Sequence, residues 1–201
     1  MTDRATAAQI GGVALLERAV GYTLGNLNLV TPAVLCRPTP CADWDVRTLL
    51  VHTADSLDVL CDAVDIGVVT AGPIPRDGGA AAELVSAVRD RACRLLAAWT
   101  GIAKPATVSV YGRPLSSTIV AGTGALEVAV HGWDVARGCG HDRAIHPSLA
   151  EELEELAPLI VTREDRPHRF GFPVAVAQDA SPSDQLVAML GRDPAAARFT
   201  A

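Results

Sequence analysis

The sequence lacks several features that would assign the protein to a broad class at once. It has no block of basic residues and no basic stripe interleaved with aromatics, and its formal net charge is −6, so we expect no nucleic-acid partner. No apolar run approaches the roughly 18 residues that a membrane-spanning helix needs. The first twelve residues carry no secretory signal pattern. These absences predict a cytoplasmic protein with no membrane partner.

Cysteine is also sparse, and its distribution excludes a disulfide-stabilised scaffold. The odd, scattered set does not form a disulfide framework. It comprises Cys36, Cys41, Cys61, Cys93 and Cys139. The spacing of Cys36 and Cys41 fits neither a zinc knuckle nor a thioredoxin motif, so neither is predicted as a metal ligand.

Apolar residues at helical spacing dominate what is present, in a chain that is 49% hydrophobic and 20% charged. The predicted helices are Ala7–Val30, Trp44–Val64 with Asp43 as N-cap, Ala80–Trp99, Ser116–Arg137, Pro147–Val161 and a short one around 183–190. Alternating Val108 and Val110, followed by the turn residues 111–114, predict a short hairpin before the fourth helix. Residues 70–79, rich in glycine and proline, are predicted to form a long connection.

The fourth predicted helix combines an apolar surface with charged and metal-binding residue types. Because it is apolar nearly all round, it should be largely buried. Glu127, His131 and Asp134 nevertheless follow one another at spacings of four and three residues, which puts them along one side. Burying an ionised carboxylate costs several kcal/mol unless something compensates, and a metal ion would do so.

A metal site would need a ligand from another element, and His52 is the histidine best placed to supply it. His52 lies at the margin of the apolar face of the second predicted helix, whereas His141, His146 and His168 lie in or near predicted loops. Two histidines and one carboxylate would leave a coordination position open, as in catalytic zinc centres. A hydrogen-bonded core pair of Glu127 and His131 explains the same residues, and the residues alone leave both interpretations open.

Three stretches resemble a known family in combination. They are Thr39–Arg47 followed by Leu49, Leu50 and His52; Glu127–Ala136; and a closing stretch with Phe170–Val174, Asp184 and Leu190–Pro194. The chain is similar to an actinobacterial group of metal-binding proteins of the DinB-like superfamily, related to the N-terminal domain of mycothiol-dependent maleylpyruvate isomerase. The likeness covers nearly the whole chain.

This resemblance implies an all-α, DinB-like four-helix bundle with a long crossover connection. It implies a single domain over residues 1–201, with residues 163–201 packing on the bundle as a tail. It also implies a metal ion held by His52, Glu127 and His131, with zinc as the default and nickel, iron or manganese as alternatives. Asp134 is predicted to act in catalysis by orienting a ligand or a metal-bound water. Trp44 and Trp133 match motif positions and are predicted to pack.

The function that follows from the resemblance is a metal-dependent isomerase or transferase that uses a thiol such as mycothiol on a small metabolite. Arg137, Arg113 and Arg47 are candidates for binding such a cofactor. The family's maleylpyruvate isomerase has a further C-terminal domain that contributes to its active site, so that particular reaction is not carried over. A metal-dependent cyclase, lyase or hydrolase without a thiol is the alternative, and a non-enzymatic metal-dependent binding protein is another. Homodimerisation is left open.

Overall fold

The protein is mostly helical, with one small sheet. A computed structural model describes residues 2–41, 43–69, 79–100, 106–167 and 169–196. Within these ranges there are six α-helices: α1 (Thr2–Asn26), α2 (Val46–Asp65), α3 (Ala81–Thr100), α4 (Ser117–Gly138), α5 (Pro147–Ile160) and α6 (Pro182–Met189). Two short 3₁₀ helices, Leu27–Leu29 and Pro32–Val34, follow α1. The predicted connection 70–79 lies outside the described residues except for Gly79.

The sheet has three strands, β1 (Val68–Val69), β2 (Thr107–Val110) and β3 (Arg113–Ser116). Strands β2 and β3 are antiparallel and form the predicted hairpin before α4. Strand β1 pairs with β2 in parallel, which the all-α expectation did not include. Two residues are too few to show the alternation that identifies a strand, so β1 depends on a partner distant in sequence.

The start of α2 differs from its prediction by two residues. Asp45, and not Asp43, is the N-cap, because its side chain accepts a hydrogen bond from the backbone N–H of Thr48 at 2.8 Å. Asp43 lies in a turn with φ of 66°. Asp45 also bridges to Pro38, and Thr39 donates to the Trp44 carbonyl. This pairing closes the loop before α2 and delays the start of the helix to Val46.

Helix α4 is the most deeply buried helix of the fold, as its apolar surface predicts. It packs against α1 and α2, while α2 also packs against α3. The contact with α1 is close: Thr23 Oγ1 donates to the Val128 carbonyl at 2.7 Å, and Asn26 donates to the Gly132 carbonyl at 3.0 Å. A Cβ on Gly132 would lie only 2.3 Å from Thr23 Oγ1. Glycine at position 132 therefore permits the approach of the two helices, and Trp133 beside it is buried in the core.

Helix α5 packs on α4, and α6 packs on α5. In the described part of the chain, none of the helices is both long and apolar enough to span a membrane. Glu127 lies at the middle of α4, and His131 and Asp134 lie in the half of the helix away from the hairpin. Trp44 beside His131 and Arg192 beside Asp134 bring the loop before α2 and the segment after α6 to the same region.

Candidate metal centre

Two helices bring together the three side chains that were predicted as metal ligands. His52 lies nearly two turns into α2, and Glu127 and His131 lie one turn apart on α4. Oε1 of Glu127 is 2.8 Å from Nε2 of His52 and 3.2 Å from Nε2 of His131. One potential ligand atom from each residue lies within 4.8 Å of the other two. We call these three residues the ligand triad.

The ligand triad is accessible from one side. The side chains of His52 and Glu127 are 36% and 30% exposed, whereas that of His131 is only 7% exposed. The indole ring of Trp44 lies beside both histidines, with its centroid 4.5 Å from that of His52 and 6.0 Å from that of His131. A small molecule can therefore reach the triad past His52 and Glu127, next to an aromatic wall.

A buried hydrogen-bond chain holds His131 in its orientation. Nδ1 of His131 lies 3.0 Å from Oδ2 of Asp134, which is completely buried one turn further along α4. Arg192 contacts both oxygens of Asp134, with Nη2 at 2.9 Å and Nε at 3.3 Å. Because an ionised carboxylate only accepts hydrogen bonds, Nδ1 of His131 must donate. Nε2 is then the nitrogen that faces Glu127.

The charges of the buried groups are strongly coupled. Burial alone would lower the pKa of His131, but the Glu127 and Asp134 carboxylates outweigh burial and raise it to about 9. Burial would raise the pKa of Glu127, yet His131 and His52 hold it well below its ordinary value. Burial would likewise raise the pKa of Asp134, and Arg192 and His131 lower it instead. Without a metal ion, the Glu127–His131 pair is therefore an ion pair at neutral pH.

Ser56 is a member of the site that the sequence analysis missed. Its hydroxyl donates to Oε1 of Glu127 at 3.2 Å and lies 3.4 Å from Nε2 of His52. Ser56 follows His52 by four residues on α2, so helical spacing could have placed it on the same face. Arg192 was missed as well, although it belongs to the closing motif, because nothing in the local sequence connects it to Asp134.

Cys41, His131 and Asp134 form a second group of potential ligand atoms within 4.8 Å of one another. Burial, together with the charge of Asp134, raises the pKa of the Cys41 thiol to about 11. The thiol is therefore protonated at neutral pH, and a protonated thiol is a weak ligand and a weak nucleophile. Asp134 in this group is already engaged by Arg192. The ligand triad is the better site for an ion.

Two of the three arginines predicted as cofactor-binding candidates, Arg137 and Arg113, lie in different places. Arg137 is buried, and its Nη2 donates to the carbonyls of Pro194 at 3.2 Å and Ala196 at 2.7 Å. Arg113 begins β3, whereas Glu127 lies ten residues beyond the start of α4, about 15 Å along the helix axis. Neither arrangement tests a cofactor contact, so both roles remain predictions.

The donor set of the ligand triad suits a divalent transition metal. Two imidazoles and one carboxylate equal the number and type of protein ligands in catalytic zinc centres, which keep one position open. Zinc bonds of about 2.0–2.2 Å in a tetrahedral arrangement put neighbouring ligand atoms roughly 3.3 Å apart. The separations of 2.8 and 3.2 Å around Glu127 are close to that value. The residues present therefore fit such an ion with small side-chain movements.

The part of the chain that carries this site matches the model of a known protein family. The family model described as "Mycothiol maleylpyruvate isomerase N-terminal domain" matches residues 16–136, more than half of the chain. The chain belongs to this family. The region of this chain that matches the family model contains the whole ligand triad and Asp134, while Arg192 lies beyond it.

The chain is also similar to two proteins whose names state no activity. The chain is 29% identical over 161 residues to two uncharacterized proteins of Mycobacterium tuberculosis, MT0763 of strain CDC 1551 and Rv0738 of strain H37Rv. Each alignment covers 77% of this chain and 83% of the relative. No solved structure gives a significant match.

Proposed function

We propose that the protein is a metal-dependent enzyme that uses a low-molecular-weight thiol, with mycothiol as the leading candidate, to isomerise or transfer a group on a small electrophilic metabolite. The observation that carries this proposal is the convergence of His52, Glu127 and His131 on one point at an accessible face. Membership in a family named for a mycothiol-dependent isomerase supports the choice of thiol.

The metal would be held by Nε2 of His52, a carboxylate oxygen of Glu127 and Nε2 of His131. Zinc suits this donor set best, and nickel, iron or manganese can occupy the same three side chains. When bound, a divalent ion with an open position supplies Lewis acidity and lowers the pKa of a thiol that coordinates to it.

Residues around the ligand triad have separate tasks in this proposal. Asp134 keeps the proton at Nδ1 of His131, so that Nε2 presents its lone pair to the ion. Ser56 holds Oε1 of Glu127 by a hydrogen bond, and Trp44 forms a wall of the entrance. Burial raises the pKa of the Cys41 thiol to about 11, which makes Cys41 a weak nucleophile in the absence of a metal ion. We therefore assign the reacting sulfur to an external thiol.

The architecture in this proposal is a DinB-like four-helix bundle formed by α1 to α4. The observed packing of α4 against α1 and α2, and of α2 against α3, supports that arrangement. We further propose that residues 1–201 form a single domain in which residues 163–201 pack on the bundle, and that the protein acts in the cytoplasm.

Cobalt substitution tests the proposed function directly. Cobalt(II) in the wild-type protein should give a visible spectrum, which should be absent from the His131→Ala variant. Adding mycothiol, or a simple thiol, should then produce a sulfur-to-cobalt charge-transfer band. A cobalt spectrum without that band would overturn the proposed role of a thiol and favour a cyclase, lyase or hydrolase that uses the ion alone. Unchanged cobalt binding in His131→Ala would overturn the metal site itself.

A further inference from the structure

The segment after α6 reaches into the candidate metal centre through one buried arginine. Arg192 is 7% exposed and makes two contacts with the Asp134 carboxylate, across 58 positions of sequence. Its third nitrogen, Nη1, donates to the carbonyl of Leu190 at 3.1 Å. The planar guanidinium is thus held at three points, which fixes the plane in which it meets Asp134.

A tight turn directs Arg192 towards the bundle. Gly191 has a φ of +85°, and a Cβ at this position would lie 2.4 Å from the Cα of Gly171. Arg166 lies beside this turn and donates to the carbonyls of Gly171 and Met189. Only glycine combines this backbone conformation with so close an approach. The turn therefore determines the direction in which Arg192 leaves the backbone.

We propose that Arg192 is a positioning residue of the metal centre, acting through Asp134 on His131. The guanidinium contacts both oxygens of Asp134 and so holds the carboxylate in one rotamer, and Asp134 in turn accepts the hydrogen bond from Nδ1 of His131. Nε2 of His131 is thereby presented to the ion without rotation of the ring. The segment after α6 is then part of the metal centre, although it lies outside the region that the family model matches.

This inference rests on the proposed metal site, and metal affinity is its first test. In competition with a chromophoric chelator, Arg192→Met should weaken zinc binding by about 10- to 100-fold, the usual effect of removing an outer partner of a ligand. The zinc affinity of Arg192→Lys should lie between those of the wild type and Arg192→Met, because an ammonium cannot contact both carboxylate oxygens in one plane. Adding Arg192→Met to Asp134→Asn should cause no further loss of zinc affinity, since both changes break the same hydrogen-bond chain.

Arg166→Met is the matched control. It removes an arginine that lies beside the same turn and binds backbone carbonyls, not Asp134. Thermal unfolding of Arg166→Met and Arg192→Met should show destabilisation in both, while only Arg192→Met weakens zinc binding. Equal zinc affinities in wild type and Arg192→Met, or an equal loss in Arg166→Met, would overturn the positioning role. A wild-type protein that binds no zinc would instead overturn the proposed metal site.

A second measurement tests the inference without any metal. In the metal-free protein, the Nδ1 proton of His131, hydrogen-bonded to a buried carboxylate, should give a protected low-field imidazole signal in proton–nitrogen NMR spectra. The signal should persist in Arg166→Met and disappear from Asp134→Asn and Arg192→Met. Persistence of the signal in Arg192→Met would contradict the proposal whatever the metal affinity.

Discussion

Nε2 of His52 lies 2.8 Å from Oε1 of Glu127, although 75 positions separate the two residues in sequence. The contact joins α2 to α4 at the point where both side chains are partly accessible. It unites a histidine from one family motif with a carboxylate from another.

Removing His52 should weaken the proposed metal site. Loss of an outer partner of a metal ligand weakens metal affinity by about 10- to 100-fold. We expect His52→Ala to weaken zinc affinity by more than this, because it removes a proposed direct ligand. Competition with a chromophoric chelator measures the change. His141→Ala is the control, since His141 is exposed in the loop after α4. Equal affinities in the two variants would exclude His52 as a ligand.

Stability of the metal-free protein should fall as the pH rises from 6 to 9. The pKa of His131 is raised from 6.5 to about 9 in the folded state, so protonation stabilises the fold fully below about 6.5. That contribution, roughly 3 kcal/mol, is lost as the pH rises through 9. Urea unfolding in the presence of a chelator measures the free energy of unfolding across this range.

His131→Gln is the control for the pH experiment, because it retains every other titrating group. Its stability should vary less with pH than that of the wild type between pH 6 and 9. Zinc should also flatten the wild-type profile, since a coordinating imidazole is already neutral. Parallel profiles for the metal-free wild type and His131→Gln would contradict the ion pair between Glu127 and His131.

Cys41 should resist alkylation. With its pKa raised from 9.0 to about 11, the thiolate population is roughly 100-fold smaller than that of an unperturbed thiol, and the thiolate is the reactive form. Exposed Cys36 and Cys93 should react first with iodoacetamide at pH 8. Peptide mass spectrometry over time measures each rate. Preferential labelling of Cys41 would make it a candidate nucleophile and weaken the argument for an external thiol.

Gly132→Ala should destabilise the protein by about 1–3 kcal/mol, because the new methyl group forces α1 and α4 apart at Thr23. Gly21→Ala is the matched change within α1, where a Cβ meets nothing within 4 Å. It should stabilise by about 0.5–1 kcal/mol through helix propensity. Denaturant unfolding distinguishes the two. Similar stabilities in both variants would argue against the close packing at Gly132.

The family resemblance supplied the choice of His52, which the residues alone could not settle. The predicted N-cap of α2 was wrong by two residues, because the pairing of Pro38 with Asp45 in the preceding loop decides where the helix begins. The short parallel strand β1 was missed because its partner lies about 40 positions away. Each difference between the predicted and the observed structure involves a contact between segments distant in sequence or the folding of a loop.

The sequence by itself determined that α4 is buried and that Glu127, His131 and Asp134 share one side of it, since helical periodicity is a local property of the chain. Only the tertiary structure decided that His52 meets Glu127, that Ser56 joins them and that Arg192 reaches Asp134. These contacts depend on how α2 and the segment after α6 pack against α4. No spacing in the sequence encodes that packing, because it arises from the shapes and volumes of side chains on separate elements.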